Sequence, residues 1–165
     1  MKKVGKVRQI KERQNANDIF YTPLTIALKL INMTNIQRND KVLDACKGEG
    51  VIYNNLPPCE KDFCEITEGR DFFEYDQPVD VIICNPPFSI YTKWIQHCIS
   101  LNPKKISLIM GCLNLTTIRL KLLEDNGYYL TNMSIVNVKK WFANTYLVLF
   151  EKGKTPIISY DTARY

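Results

Sequence analysis

An apolar segment that runs directly into two prolines constrains the fold of this chain more than any other feature. Residues 79–84, Val-Asp-Val-Ile-Ile-Cys, are nearly all apolar, which is typical of a parallel strand covered on both faces. The segment Asn85-Pro86-Pro87-Phe88 follows at once, and proline ends strand pairing because it lacks a backbone N–H. The sequence therefore predicts a carboxamide, an exposed carbonyl group and an aromatic ring at the carboxyl end of a buried strand, where open α/β sheets bind ligands.

Asn-Pro and Pro-Pro alone are ordinary turn formers, but a second motif lies about forty residues upstream. Val42-Leu43-Asp44 followed by Ala45-Cys46-Lys47-Gly48-Glu49-Gly50 has the pattern of a strand entering a glycine-rich turn. Such a turn lets the backbone approach a ligand, and Glu65, about twenty residues on, can accept hydrogen bonds from ribose hydroxyls. Tyr53 replaces the third glycine of the dinucleotide pattern, and the Asp44 carboxylate suits an ammonium group. The motif therefore favours a cationic nucleoside over a dinucleotide.

Predicted strands and helices alternate along the chain. We predict strands at about 41–45, 61–66, 79–84, 106–110, 129–138 and 145–151, and helices at 23–34, near 51–55, at 89–101 and at 115–126. Thr22-Pro23 is a typical helix start, with the Thr22 side chain as the expected cap. This order predicts an α/β fold with a doubly wound, mostly parallel sheet and an antiparallel edge hairpin.

The length of 165 residues predicts a single folded domain at 19–152, between a basic N-terminal tail at 1–18 and a C-terminal tail at 153–165. The six cysteines form no CxxC pair, and with the single histidine they offer no zinc-like spacing, so no metal is expected. Reduced thiols suggest a cytoplasmic location. The sequence contains no secretory leader and no long apolar stretch, so no membrane contact is expected.

The net charge of +5 is unevenly distributed. Residues 1–13 carry six basic side chains against one acid, Glu12, and so account for the whole excess. Positions 40–80 hold eleven acids and four bases, whereas positions 93–154 hold nine bases and three acids. A charged tail is often only a solvated terminus, but flexible lysines and arginines also bind polyanions by releasing counterions. Nucleic acid is therefore the leading partner.

The two motifs resemble those of class I S-adenosylmethionine-dependent methyltransferases, in particular the amino-methyltransferases with Asn-Pro-Pro-Phe or Asn-Pro-Pro-Tyr. The resemblance covers roughly residues 20–151 and implies a Rossmann-like methyltransferase fold with S-adenosylmethionine as cofactor. The motif order is similar to that of adenine-N6 methyltransferases. Two positions depart from the family pattern: Ala45 replaces the usual proline, and Lys47 places a positive charge near a cationic cofactor.

The resemblance also implies which residues contact the cofactor. The segment Phe20-Tyr21-Thr22 is expected near its methionine end, Glu65 at its ribose, and Asp71-Phe72 at its adenine, through the carboxylate and an adjacent amide or ring. The full expected set is Phe20, Tyr21, Thr22, Asp44, Cys46, Gly48, Gly50, Glu65, Asp71, Phe72 and Asn85.

The expected catalytic residues are Asn85, Pro86, Pro87 and Phe88. An adenine amine is a poor nucleophile because its lone pair is delocalised into the ring. If the Asn85 oxygen and the Pro86 carbonyl both accept hydrogen bonds from this amine, they localise the lone pair and stabilise the charge that develops on nitrogen. Phe88 can stack on an unpaired or flipped base. The stretch Lys139, Lys140, Trp141 and Phe142 mixes bases and aromatics in a predicted turn and is a candidate substrate contact.

These features predict a single-domain methyltransferase that acts on the N6 amine of adenine in nucleic acid, with DNA favoured over RNA. A protein partner or a homodimer could supply target recognition. Three alternatives stay open: methylation of an adenine or guanine amine in RNA, methylation of a protein glutamine amide, and an inactive methyltransferase-like binding subunit.

Overall fold

The computed structural model of the chain describes residues 21–138, 141 and 144–162. Its strands are β1 (Lys41–Asp44), β2 (Glu60–Phe63), β3 (Val81–Cys84), β4 (Lys105–Gly111), β5 (Tyr128–Val136) and β6 (Thr145–Lys152). Its α-helices are α1 (Leu24–Thr34), α2 (Val51–Asn55), α3 (Tyr91–Ser100) and α4 (Thr117–Glu124), and short 3-10 turns cover Ile66–Glu68, Phe72–Glu74 and Phe88–Ile90.

Over these residues the strands form one six-stranded sheet in the order β2-β1-β3-β4-β6-β5. Strands β1 to β4 pair in parallel, while β6 pairs antiparallel with both β4 and β5. The predicted doubly wound sheet with an antiparallel edge hairpin is therefore confirmed. The strand order reverses at β1, since β2 lies on one side of it and β3 on the other, which creates a crevice beyond the carboxyl ends of β1 and β3.

The helices bury both faces of the sheet, as the apolar character of β3 predicted. On one face, Val81 and Ile83 pack with Ala27 and Leu30 of α1. On the other face, Ile82 and Cys84 pack in a second cluster, whose helical members are Tyr91, Trp94, Ile95 and Cys98 of α3 and Leu120 and Leu123 of α4. Because successive side chains of a strand point to opposite faces, one short strand contributes to both clusters.

Two predictions about element ends were wrong, whereas the other predicted bounds agree with the structure to within two residues. Pro23 itself is the N-cap residue of α1, in extended conformation, and its carbonyl accepts from the amides of Ile26 and Ala27 at 3.0 Å, so Thr22 precedes the cap and does not cap the helix. Strand β2 ends at Phe63 rather than at residue 66, because Glu65 caps the following 3-10 turn through its side chain.

The segment after β6 folds back along the edge strand β5. The amide of Ile157 donates to the carbonyl of Leu130 at 2.8 Å, and the hydroxyl of Tyr160 donates to Glu124 at 2.8 Å. The residues expected to form a C-terminal tail thus contact the sheet edge and α4 over the part that is described. Among the described residues, no helix is long and apolar enough to cross a membrane.

Candidate active site

The carboxyl ends of β1, β3 and β4 meet at one edge of the sheet, and the expected site residues follow them. Asp44 pairs with Ile83 in the ladder, so Asn85 stands two residues beyond the position opposite Asp44. The hairpin between β5 and β6 turns at the same edge, because Thr145 pairs with both Gly111 and Val136. The topology therefore brings the glycine turn, the Asn85 loop and the hairpin to one side of the molecule.

Asp44, the last residue of β1, is completely buried. Its Oδ1 accepts from the amide of Cys46 at 3.3 Å, while its Oδ2 accepts no hydrogen bond within the part of the chain that the structure describes. Burial raises the pKa of Asp44 to about 7, and the amides of Cys46 and Tyr53 offset this only in part. A buried carboxylate oxygen without a donor is costly, so this site favours a cationic or hydrogen-bonding group beside Asp44.

The glycine-rich turn needs glycine at both of its glycine positions. Gly48 and Gly50 have φ values of +52° and +82°, in the left-handed region that L-residues rarely adopt. A Cβ on Gly50 would lie 2.9 Å from Asn54 Nδ2, whereas a Cβ on Gly48 would meet no described atom within 4 Å. Open space thus lies beside the backbone at Gly48, which a ligand can approach closely.

Glu65 links the glycine turn to the segment after β2. Its Oε2 accepts from the amide of Gly48 at 2.8 Å, and its Oε1 accepts from the amide and the hydroxyl of Thr67 at 3.0 and 2.7 Å. Partial burial opposes ionisation, but these bonds outweigh it and lower the pKa of Glu65 below its usual value. A carboxylate oxygen can accept two bonds, so Oε2 retains capacity for a ribose hydroxyl.

The two departures from the family pattern have local explanations. The amide of Ala45 donates to the carbonyl of Ile83 at 3.3 Å, a bond that proline cannot make. Lys47 forms an ion pair with Glu68, and its Nζ lies 3.8 Å from the centre of the Phe63 ring. Glu68 therefore balances the charge of Lys47. Neither Glu68 nor Thr67 was expected at this site from the sequence.

Asp71 and Phe72 lie in the loop between β2 and β3. Asp71 Oδ1 accepts from the amide of Phe73 at 2.9 Å and caps the 3-10 turn. The Phe72 ring is only 3% exposed, and its centre lies 4.4 Å from that of Trp94 and 4.6 Å from that of His97. The Phe72 ring therefore belongs to the core, which leaves only the adjacent amide of the two contacts expected for this residue from the sequence.

Asn85 and Phe88 belong to the loop after β3, in which Pro86 is buried. Asn85 Nδ2 donates to Thr22 Oγ1 at 3.2 Å, and Asn85 Oδ1 is shielded from solvent. The Phe88 ring lies against Gly111, where an added Cβ would be 3.4 Å from Phe88 Cε2. The carboxamide and the aromatic ring expected to act on substrate are thus both held at the carboxyl edge.

The loop after β4 lies beside the Phe88 ring and was not expected at the site from the sequence. Arg119 Nη1 donates to the carbonyl and to Oδ1 of Asn114 at 2.8 and 2.9 Å, and Arg119 Nε donates to Thr92 Oγ1 at 3.0 Å. Asn114 Nδ2 would lie 3.6 Å from a Cβ on Gly111. Arg119 therefore connects the start of α3 to the loop that lies behind Phe88. No feature of the amino-acid sequence predicts this role of Arg119.

The remaining expected site residues are less informative. Phe20, Lys139, Lys140 and Phe142 lie outside the described residues. Tyr21 is 60% exposed at the start of the described chain. Burial raises the pKa of the Cys46 thiol to about 12, so at neutral pH Cys46 contributes its amide to the site rather than a thiolate. Trp141 packs partly against the cluster under α1.

The basic residues of the second half do not form one surface. Lys105 begins β4 and Lys152 ends the antiparallel β6, so both lie at the edge opposite Asn85, and Lys152 N donates to the carbonyl of Lys104 at 3.0 Å. Lys104 is paired with Asp80. Of the described bases in this half, Lys93 near the start of α3 and Arg119 near the start of α4 belong to the site edge.

No protein-family model and no curated protein match the chain. Solved structures match it at low sequence identity. A dimethyladenosine transferase from Plasmodium falciparum is 20% identical, with a TM-score of 0.63, over 81% of this chain and 63% of that chain. Magnesium protoporphyrin IX methyltransferase from Synechocystis PCC 6803, with bound SAM, is 14% identical, with a TM-score of 0.59, over 92% and 86%.

A third match is the Mtq2–Trm112 complex of E. cuniculi, described as responsible for the methylation of the eRF1 translation termination factor. It is 16% identical, with a TM-score of 0.56, over 82% of this chain and 99% of that chain. These similarities show that the chain has the Rossmann-like fold of class I methyltransferases.

Proposed function

We propose that this protein is an S-adenosylmethionine-dependent methyltransferase that acts on the N6 amine of adenine in nucleic acid, with DNA as the first candidate. One observation carries the proposal. The glycine turn after β1 and the Asn85 loop after β3 meet at the point where the strand order reverses, so the turn and the carboxamide flank a common crevice.

The residues beside this crevice fit the proposed cofactor. The unpartnered Oδ2 of Asp44 suits the cofactor's ammonium group, the open space at Gly48 admits it close to the backbone, and Glu65 can accept from its ribose. Asp71 and the amide of Phe72 would hold the adenine. When bound, S-adenosylmethionine supplies an electrophilic methyl group on its sulfonium sulfur. A similar fold with bound SAM, that of the magnesium protoporphyrin IX methyltransferase, supports this choice.

The Asn85 loop supplies the groups that a neutral amine needs in order to react. Asn85 Oδ1 and the carbonyl of Pro86 would each accept a hydrogen bond from the amine. These two bonds would direct the lone pair of the amine nitrogen toward the methyl group. The same acceptors stabilise the positive charge on nitrogen during transfer. The proton then leaves the methylated nitrogen, so no strong base is needed beforehand. Phe88, held against Gly111, offers a face on which the base can stack.

The charge of the basic segment 1–13 supports a nucleic-acid substrate. Residues 1–20 join the described chain at Tyr21, next to Thr22, which bonds Asn85. A fully extended chain spans at most about 3.6 Å per residue, so Arg13 stays within about 30 Å of Thr22. Arg13 is therefore within reach of the active-site edge, and the bound is looser for the bases that precede it. The similar dimethyladenosine transferase, by its name, agrees with an adenine substrate.

The proposal is tested by incubating the protein with tritium-labelled S-adenosylmethionine and separate pools of single-stranded DNA, duplex DNA, RNA and protein. We expect label in N6-methyladenine, with single-stranded DNA preferred over duplex because unstacking a base costs a few kcal/mol. Label confined to protein glutamine, or to RNA, would replace the proposed substrate with that alternative. Binding of cofactor and nucleic acid without transfer to any pool would favour an inactive binding subunit.

Asn85→Ala is the decisive variant in this assay. Because the carboxamide acts on the amine and on its transition state, we expect kcat to fall on the order of a hundredfold or more, while affinity for S-adenosylhomocysteine, measured by calorimetry, stays within about twofold. Asn126→Ala is the matched control, since the Asn126 side chain donates to the carbonyl of Leu122 at the far end of α4. Near-native turnover of Asn85→Ala would contradict the mechanism.

A further inference from the structure

Arg119 is a partly buried cation at the active-site edge, and none of the described carboxylates forms an ion pair with it. Burial lowers the pKa of its guanidinium, which still stays charged at neutral pH. Its three hydrogen bonds go to neutral oxygens of Asn114 and Thr92, whereas Arg70 donates to Asp62 at 2.7 Å. Because a charge removed from water without an opposite charge is costly, the surroundings of Arg119 favour an anion.

One nitrogen of the guanidinium is available to bind such an anion. Nε and Nη1 make the three hydrogen bonds, while Nη2 has no acceptor within the part of the chain that the structure describes. A guanidinium carries five N–H donors in one plane, so the two on Nη2 can donate to phosphate oxygens. The other bonds hold the plane in position, which reduces the entropy lost when an anion binds.

The guanidinium also lies near the ring on which we place the target base. Its Cζ is 5.6 Å from the centre of the Tyr91 ring, and the centre of that ring is 6.3 Å from the centre of the Phe88 ring. Asn114, which accepts from Arg119, borders the same Phe88 ring at Gly111. Since each base of a nucleic acid is joined through its sugar to backbone phosphates, a base on Phe88 brings a phosphate close to Arg119.

We propose that Arg119 binds a backbone phosphate next to the target nucleotide and so helps to hold the base on Phe88. The inference rests on the proposed function, since it takes nucleic acid as the substrate. It adds a phosphate contact within the folded domain to those expected from the basic segment 1–13. Phosphate contacts position a nucleic acid without reading its sequence, so this contact should be the same at every target site.

The test measures binding of a fluorescent single-stranded oligothymidylate with one central adenine to protein saturated with S-adenosylhomocysteine. We expect Arg119→Gln to weaken binding about tenfold and to reduce the slope of log affinity against log salt by about 0.7. Arg119→Lys keeps the charge and should keep most of the slope. Lys121→Gln is the matched control on the same helix and should change neither quantity, because Lys121 is paired with Asp125.

Neutral linkages separate a phosphate contact from a purely structural role behind Phe88. A methylphosphonate replaces the phosphate on one side of the adenine and then on the other. At one of these positions it should weaken binding to the parent about tenfold but to Arg119→Gln very little, because the two partners of one contact are not additive. Asn114→Ala removes one bond to Arg119 and keeps the cation, so it should respond to the methylphosphonate as the parent does.

Two results would contradict the inference, and they differ in what else they affect. Equal losses for the parent and for Arg119→Gln at both linkages would show that Arg119 acts only on the loop, and the proposed function would stand. A parent protein that binds no oligonucleotide at any salt concentration would overturn the nucleic-acid substrate and this inference together.

Discussion

Asp44 shows at the scale of one residue how a ligand site can lower the stability of the empty protein. The side chain is fully buried, and one of its two oxygens accepts no hydrogen bond among the described residues. A cation placed beside this oxygen would offset the cost of burying the charge. The same residue is therefore unfavourable for folding and favourable for binding an ammonium group.

This view predicts the pH dependence of Asp44→Asn. The pKa of Asp44 is raised from a usual value near 4 to about 7, so folding favours the protonated form. Below about pH 3 the group is protonated in both states and costs nothing, whereas as the pH rises from about 3 to 7 the unfolded state ionises first and stability falls. We expect Asp44→Asn to raise the urea midpoint at about pH 8 but to leave it nearly unchanged at about pH 3.

Ligand binding should show the opposite pH trend. A bound ammonium group favours the carboxylate, so affinity of the parent protein for S-adenosylhomocysteine should rise with pH up to about 7, and calorimetry should show much weaker binding to Asp44→Asn at pH 8. Asp125→Asn, at a surface ion pair with Lys121, is the control. Unchanged affinity in Asp44→Asn would remove Asp44 from the proposed cofactor site.

At the scale of elements, the turn after β1 combines a strained backbone with open space. Gly48 and Gly69 both have positive φ values, +52° and +75°, and at both positions an added Cβ meets no described atom within 4 Å. The two glycines therefore impose similar backbone requirements. They differ in location. Gly48 lies in the turn after β1, where its amide donates to Glu65, whereas Gly69 is the C-cap residue of the 3-10 turn Ile66–Glu68.

This pair gives a matched prediction. Alanine at either position should destabilise the protein by about 1–2 kcal/mol, the cost of a left-handed conformation for an L-residue, as measured by urea denaturation. Only Gly48→Ala should also weaken S-adenosylhomocysteine binding, by about tenfold or more, since a methyl group would enter the space left for the ligand. Equal affinities in the two variants would indicate that the ligand does not approach Gly48.

At the scale of the whole molecule, the topology divides the basic residues between two edges. Lys104, Lys105 and Lys152 lie at the edge opposite Asn85, where Lys105 donates to the carbonyls of Thr34 and Asn35 at the end of α1. The basic excess of the second half therefore supports a nucleic-acid surface less than the sequence suggested. The segment 1–13, with six basic side chains, becomes the main candidate for phosphate contact.

Deletion of residues 1–13 tests this division. If the segment contacts phosphates, the deletion should weaken binding to single-stranded DNA about equally across sequences and reduce the slope of log affinity against log salt by up to about 4, or about 0.7 per basic side chain. The control neutralises Lys104, Lys152 and Lys154 with glutamine at the opposite edge and should change the slope little.

Cofactor affinity should stay the same in both variants, because neither change touches the crevice at β1 and β3. Titrations at several salt concentrations, followed by fluorescence of a labelled oligonucleotide, give these slopes. A salt slope that does not respond to the deletion would contradict the polyanion role and favour a protein substrate.

Local patterns were enough to predict the order of the elements and which candidate residues follow the carboxyl ends of the strands. Glycine, proline and apolar periodicity act over a few residues, so they located the turn at Gly48–Gly50, the end of β3 before Asn85 and the buried character of β3. The alternation of strands and helices then predicted the mostly parallel sheet, because parallel strands need helical connections.

Tertiary structure decided the partners of the side chains. The hydroxyl of Thr22 accepts a hydrogen bond from Asn85 instead of capping α1, and the Phe72 ring packs on Trp94. Arg119 donates to the carbonyl of Asn114 in the loop behind Phe88. These contacts join residues distant in sequence, and they depend on strand register and on which face of an element a side chain leaves. Local preference does not encode such long-range geometry, and so the sequence by itself determined which polar and aromatic residues follow the strands at the site edge, while the fold determined how they are oriented.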